Sequence, residues 1–409
     1  MTYAIFIWHG IFLSLTMAMI DFNTVFPALI TDLVDSKIVF GILYSIMLGV
    51  PHLFSLLFGH YLSSYRYRRR FLLLGIYLRG ISFLGMAGFT FIFGKDAPWL
   101  VVGSFFVWLL LFSLSGSLAG ISYTDIIGKL VAKGGRGRLY AVKQFANSLA
   151  AFGGGLIVAH VFKANSVPFP ENYALVLFIG FAGLVVASLA FWFIREPPST
   201  AAEDVHPPLL SSLRRVPAIL RQHPEFFRFI VVENLSSFSL MVMPFYMIFA
   251  KEHFLVSDAY IGRYLLFQIG GTILSNLLWG WIAGRLGAKR VVRGCLLLGG
   301  LIPLVALGLS HLNADLFSII FFLVGFVFSG RRVGFEPYLL DIIPAEERPI
   351  YLGIRGTLNV LVVLLPFLGG ILIHFAGYFP VFGLVAVMMF VAFFLLKEKI
   401  DGETSTAEG

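Results

Sequence analysis

Apolar residues gather along this chain into twelve runs: 3–30, 38–61, 71–93, 98–125, 140–162 and 172–194, then 225–250, 260–284, 291–309, 315–342, 350–375 and 378–396. A bilayer core takes about 20 residues of helix, within a range of about 17–25 and more when the helix tilts. Runs this long and unalternating do not suit barrel strands, which need about 10 residues of period two. Backbone groups in hydrocarbon have no water to bond, so helix is the conformation left. The residues AVILMFWYC make up 58% of the 409 and charged residues only 13%, more apolar surface than one water-soluble core can hide. A soluble enzyme, a disordered chain and a nucleic-acid binder are excluded, and the lipid bilayer is the first partner. The run from Tyr3 is too long for the apolar part of a signal peptide and reads as the first span.

The basic residues set the orientation. Arg66, Arg68, Arg69 and Arg70 lie between runs 2 and 3, and Lys129, Lys133, Arg136 and Arg138 between 4 and 5. Arg285, Lys289, Arg290 and Arg293 lie between 8 and 9, while the opposite loops hold Lys37, Lys95, Lys163 and Lys251, one apiece. Short loops rich in Lys and Arg stay in the cytoplasm, which predicts cytoplasmic termini and a multi-pass protein of the inner membrane. The interval 196–224 carries Pro197, Pro198, Pro207 and Pro208 and reads as a linker between a first bundle, 1–195, and a second, 225–409. Leu209, Leu213, Val216 and Leu220 are spaced for a short interfacial helix, but Pro217 interrupts the pattern and a plain loop fits as well. Cys295, the one cysteine, permits neither a disulfide within the chain nor metal-ligand spacing.

The two halves repeat. Asp125-Ile-Ile closes run 4 and Asp341-Ile-Ile closes run 10; Lys143 and Asn147 in run 5 match Arg355 and Asn359 in run 11. Gly59 precedes the basic cluster through Arg70, and Gly280 precedes Arg285, Gly287, Lys289 and Arg290. Parallel repeats of this kind build a solute site near the midplane between two bundles.

Twelve runs split six and six, with a glycine and a basic cluster in the 2–3 and 8–9 loops, resemble the major facilitator superfamily over essentially the whole chain. The family's loop motif, Gly-x-x-x-Asp-x-x-Gly-Arg-Arg, is matched by Gly280, Arg285, Gly287, Lys289 and Arg290, with Gly284 in the Asp position. In the first half Gly59, Arg68 and Arg69 fit, and Ser63 replaces the Asp. Both copies thus lack the carboxylate that in the family helps latch the cytoplasmic side. Segment 245–283 also resembles bacterial facilitator-type permeases. The drug-antiporter signature of span 5 is missing, since Gly153-Gly-Gly155 carries no proline. The resemblance implies an all-α membrane protein of twelve helices in two pseudo-symmetric six-helix bundles, a monomer without cofactor or metal, moving a small molecule by alternating access.

Ionisable side chains inside a span are expensive and mark function or internal pairing. In the family, spans 1, 4, 7 and 10 line the cavity, and runs 7 and 10 are the most charged here. Arg332 and Glu336 are four apart on one helix face, and Glu233 falls at nearly the depth of Glu336. A cluster of Glu233, Arg332 and Glu336 would let one carboxylate bind and release a proton, or it would form a fixed ion-pair network. Arg331 and Arg332 suit an anionic or zwitterionic solute, because guanidinium pairs bidentately with carboxylate or phosphate. Pairing with Asp21 is the alternative. Asp21, Asn23 and Asn234 complete the candidate solute contacts. Lys143 and Arg355 read as snorkelling or helix-end residues, Asp125 with Arg136 and Arg138 and Asp341 with Arg348 as loop clamps, and His9 as a core histidine. Arg79 also lies in a span. The expected function is a proton-coupled carrier. The alternatives are an exporter of hydrophobic or cationic compounds, a membrane-embedded enzyme, or a non-transporting receptor.

Overall fold

Nine helices among the described residues are long and apolar enough to cross a membrane. The computed structural model describes residues 2–63, 65–131, 133–163, 167–198, 209–344, 351, 354–356 and 358–396, and no strand occurs among them. The first half holds α1 (Thr2–Met19), α2 (Val25–Val34), α3 (Lys37–Ser63), α4 (Arg69–Phe93), α5 (Pro98–Leu130), α6 (Lys133–Val161) and α7 (Glu171–Trp192). A helix α8 (Leu209–Gln222) follows, then α9 (Pro224–Ser236), α10 (Phe245–Phe254), α11 (Ala259–Leu286), α12 (Ala288–Leu309), α13 (Ala314–Ile342), α14 (Leu365–Ala376) and α15 (Tyr378–Leu395). Within the first bundle α1 packs on α6 and α7, and α4 on α5 and α7; within the second, α13 packs on α11 and α12, and α15 on α9 and α12. The bundles meet where α3 lies along α14 and α6 along α11.

Among the described residues, length and composition single out nine of the expected twelve spans. Run 1 is two short helices rather than one, run 11 shows a short apolar helix over Val362–Ala376 among the described residues, and α6 begins in polar sequence. Run 1 breaks between Met19 and Val25 because Asp21 offers the chain an alternative to helix. Its Oδ1 accepts from the Asn23 backbone N–H at 3.0 Å and the Thr24 hydroxyl at 2.9 Å. Pro27, lacking an N–H, cannot mend the ladder. The linker helix also forms, with Pro217 inside it, and Val216, Ile219 and Leu220 pack against the core.

Glycine does its work at two kinds of place. Gly287 (φ 88°) and Gly377 (φ 79°) turn the chain between α11 and α12 and between α14 and α15. Gly271 and Gly325 let α11 and α13 approach backbone to backbone. A Cβ on Gly271 would meet the Phe322 carbonyl, and one on Gly325 the Gln268 carbonyl. Without a hydrophobic drive in lipid, such close approach is what holds helices together. The neighbouring Gly270 faces open space. Gly271→Ala should therefore lower the melting temperature by the equivalent of about 1–3 kcal/mol. Gly270→Ala should leave it unchanged or raise it slightly, by about 0.5–1 kcal/mol of helix propensity at most. Thermal unfolding of the two purified variants checks the pair.

Candidate functional site

Run 7 is broken like run 1. After α9 come a 3₁₀ turn, Ser237–Met241, and Pro244 before α10. Serine hydroxyls compete for the backbone there: Ser236 and Ser237 donate to the Glu233 carbonyl at 2.7 and 2.8 Å. Arg331 of α13 meets the freed end of α9. Its Nη1 donates to the Ser236 carbonyl and hydroxyl, each at 3.0 Å, and its Nη2 to the Ser237 hydroxyl at 3.1 Å. A guanidinium at a helix C-terminus also satisfies the negative end of the helix dipole.

One residue-pair turn back, Glu233 is 4% exposed and fully engaged. Both its oxygens accept from Arg355 Nε, at 3.0 and 2.9 Å, and Oε1 also accepts from Nη2 at 2.5 Å. Asn359 Nδ2 adds a bond to Oε2 at 2.8 Å, and its Oδ1 accepts from Asn234 at 2.8 Å. The expected cluster forms with a different arginine. Glu336 lies close enough for its charge to act on Arg355, but Arg332 and Glu336 are both exposed. The physical reason is helix phase. Arg331 turns toward α9, and its neighbour, about 100° further round at 3.6 residues per turn, turns away. Arg355 therefore pairs inside the bundle instead of serving as a snorkelling or helix-end residue; its spacing to Asn359, repeated from Lys143 and Asn147, is the signal in the sequence.

Asp21 does not pair with either arginine. Its Oδ2 accepts from Gln268 Nε2 of α11 at 3.0 Å, a bond between the bundles, and Tyr44 reaches Asn23 Oδ1 at 3.4 Å.

The loop motif is completed from elsewhere. Glu196, beyond α7, accepts from the backbone N–H groups of Arg68 and Arg69 at 2.9 and 2.7 Å, sitting at the positive end of α4. Lys129 bridges Glu196 at 2.5 Å and Asp125 at 2.7 Å, and Arg68 holds Asp125 at 2.7 Å. So Asp125 is a clamp residue with Arg68 and Lys129. The side chains of Arg136 and Arg138, and Arg348, lie outside the described residues; Asp341 is exposed. Gly59, Gly280 and Gly284 face open space, and Arg285 stacks 5.3 Å over Trp281. Lys289 and Arg290 open α12 just after Gly287.

Bonds between the bundles cluster at the end away from the basic loops. There Lys251 of α10 binds Asp32 of α2 at 2.5 Å, Lys37 binds Glu252 at 2.6 Å, and Asn172 binds Asp258 at 3.1 Å. Phe40 and Phe245 meet edge to face, with centroids 5.2 Å apart. Gly262 against Ala159, and Gly41 against Pro366, bring backbones together in the same half. The Phe367 amide donates to Ser45 Oγ at 3.1 Å. Among the described residues, no ion pair joins the bundles at the basic end.

Paired helical bundles, broken first and seventh spans and buried charge between them define a multi-pass membrane protein of transporter architecture. Residues 229–408 match the model of the Major Facilitator Superfamily. Solved structures similar over the whole chain include a D-xylose-proton symporter, 15% identical, with 97% of each chain covered and a TM-score of 0.66. A bacterial homologue of the iron transporter ferroportin, in an inward-facing state, is 14% identical over 96% of this chain and 97% of that one, with a TM-score of 0.67. The nucleoside transporter NupG is 13% identical over 96% of this chain and 98% of that one, with a TM-score of 0.70. No curated protein sequence matches. In its second half the chain is similar in sequence to the Major Facilitator Superfamily, and along its length it shares the fold of these structures.

Removing Arg355 would leave the buried Glu233 without its counter-charge, held by Asn359 alone. Arg355→Ala should cost on the order of 3 kcal/mol of stability. The double change Glu233→Gln with Arg355→Met should recover most of it, read as melting temperature in detergent.

Proposed function

We propose that this chain is a secondary active transporter of the cytoplasmic membrane, with both termini in the cytoplasm, moving a small organic solute by alternating access. The carrying observation is the one-sided bonding between bundles: ion pairs and close backbone contacts at the end opposite the basic loops. Given that basic loops face the cytoplasm, this is a conformation open inward and closed outward. Solute would sit at the level of the two breaks, among Asp21, Asn23, Asn234, Arg331 and Arg332. Glu233 is the proton-coupling group of this reading, with Glu336 near its partner. Protonating Glu233 releases Arg355, and with it the start of the eleventh span from the seventh.

The outward clamp is tested by labelling. In a Cys295→Ala background, Phe245→Cys places a thiol at a position that is 0% exposed beside Phe40. A membrane-impermeant maleimide added to liposomes should label it slowly. Adding Asp32→Asn and Glu252→Gln should speed labelling roughly tenfold, as two partly exposed pairs of up to about 1 kcal/mol each are lost. An unchanged rate would mean the far end does not open, and the carrier reading would fall.

Coupling is tested in proteoliposomes under an imposed pH gradient. The natural chain should concentrate its solute and lose that ability with a protonophore. Glu233→Gln should still equilibrate solute down its gradient and no longer accumulate it; uphill uptake by this variant would remove Glu233 from the coupling role.

A further inference from the structure

Two helices of the first bundle repeat one spacing. Leu84, Ala87, Gly88 and Phe91 of α4 stand at i, i+3, i+4 and i+7, and so do Glu171, Ala174, Leu175 and Phe178 of α7. The helices pack on each other, and these two stripes form the sides of one groove of about 450 Å³. Small residues make its floor: Ala87 and Ala174 are buried, and a Cβ on Gly88 would meet nothing within 4 Å. Leu84, Phe91, Leu175 and Phe178 stand exposed as its rims. Exposed apolar rims on a membrane protein face lipid. From Leu84 to Phe91 is about 10 Å of helix at about 1.5 Å per residue, two-thirds of the roughly 15 Å of hydrocarbon in one leaflet. Length and lining both suit an acyl chain.

One end of the groove is polar. Gly94, just after α4, lies against Pro170, just before α7, and this approach brings Lys95 to Glu171. Lys95 Nζ donates to Glu171 Oε1 at 2.7 Å. The Lys95 side chain is 57% exposed, and an ammonium has three donors, so it can serve a second acceptor. The other oxygen, Glu171 Oε2, is sealed from solvent and has no hydrogen-bond partner among the described residues. A covered, unbonded carboxylate oxygen bears a desolvation cost that a donor entering the groove would offset. Glu171 is itself part of the groove wall.

We propose that this groove binds a phospholipid with an ethanolamine headgroup, from the outer leaflet on the orientation set by the basic loops. One acyl chain lies between α4 and α7, the lipid ammonium donates to Glu171 Oε2, and the lipid phosphate accepts from Lys95. Positive and negative groups then alternate around the polar end. A choline headgroup has no N–H to give Glu171, and a glycerol headgroup brings it no positive charge. The site uses neither Glu233 nor the bonds between the bundles, so it is independent of the carrier reading.

The test is thermal unfolding of the full chain in detergent, titrated with dioleoyl phosphatidylethanolamine, phosphatidylcholine or phosphatidylglycerol in mixed micelles. The ethanolamine lipid should raise the melting temperature saturably. Its apparent affinity should exceed that of the other two about tenfold, one charge-assisted hydrogen bond's worth. On the natural chain, successive N-methylation of the headgroup should bring the affinity down to that of choline. Glu171→Gln should abolish the preference for ethanolamine over choline. Gly88→Leu, which fills the floor and leaves every charge in place, should lose the response while melting no lower than the natural chain without lipid. Gly103→Leu, on α5 where a Cβ also meets open space, should keep the response. Equal stabilisation by the three lipids, or a flat methylation series, overturns the proposal whether or not the variants fold. An ethanolamine preference that survives in Glu171→Gln or in Gly88→Leu also overturns it, as does a lipid-free Gly88→Leu that melts well below the natural chain. Strongest stabilisation by phosphatidylglycerol overturns the assigned headgroup.

Discussion

In hydrocarbon, a backbone carbonyl or a charged side chain that gives up its partner finds no water to replace it, and that constraint organises this protein. At three helix ends among the described residues, a polar group from a neighbour is present to receive what the departure from helix frees. The end of α9 is received by Arg331 through the Ser236 carbonyl, and the start of α4 by Glu196. The end of α7 is held by Arg69, whose guanidinium takes the Trp192 carbonyl at 2.7 Å and that of Ile194 at 3.2 Å. Each arrangement joins a helix end to an oppositely charged side chain, so the dipole and the hydrogen bond act together. The break at the end of α9 is a built feature within a span, while the ends of α4 and α7 are held beside a basic loop.

Much of this was legible in the residues. Length and period identify the spans, and the proline-rich interval at 196–224 separates the halves. The pairing of Asp125 with Asp341 and of Lys143 with Arg355 marks the repeat. Asp21 with Pro27 gave grounds to expect a break in the first span, yet the unbroken apolar text around them concealed it. Rotational phase was not legible. An amphipathic helix declares its inner face by where its polar residues fall, but α13 is apolar on every side except at a few positions. Arg331 and Arg332 are indistinguishable in the sequence; packing sends one to α9 and leaves the other exposed. The same blindness hid Arg355, since a same-face argument within one helix cannot see a partner on another. The loop carboxylate was hidden for a simpler reason: Glu196 lies over a hundred residues from the motif it completes.

The repeat also shows how a duplicated frame diverges. The asparagine that ties the fifth span to the first, and the eleventh to the seventh, is kept along with the cation one turn before it. What differs is the charge offered by the partner span. In one bundle it is Glu233, which pairs with Arg355; in the other an imidazole, His9, stands at the matching place.

The strength of the bonds follows the same division between what must hold and what must give. Glu233 with Arg355 is buried inside one bundle, where breaking a pair costs about 3–5 kcal/mol. The pairs that join the bundles, Asp32 with Lys251 and Lys37 with Glu252, keep part of their surface in solvent, with side-chain exposures of 24% and 9%, and 19% and 27%. Exposed pairs contribute about 0–1 kcal/mol each; partly buried ones contribute more, so the set together amounts to a few kcal/mol. Turning a two-state equilibrium from 1:99 to 99:1 takes about 5.5 kcal/mol of differential binding, a span that loosening such a clamp and binding a solute can together cover. Beside these pairs, Asn172 bonds Asp258, the Phe367 amide bonds Ser45 and Phe40 meets Phe245 edge to face, while Gly262 on Ala159 and Gly41 on the Pro366 backbone are small surfaces. The glycine contacts resist separation through dispersion over a short length. On the carrier reading, the closed end excludes leak in one state and parts in another, while the buried pairs keep each bundle intact.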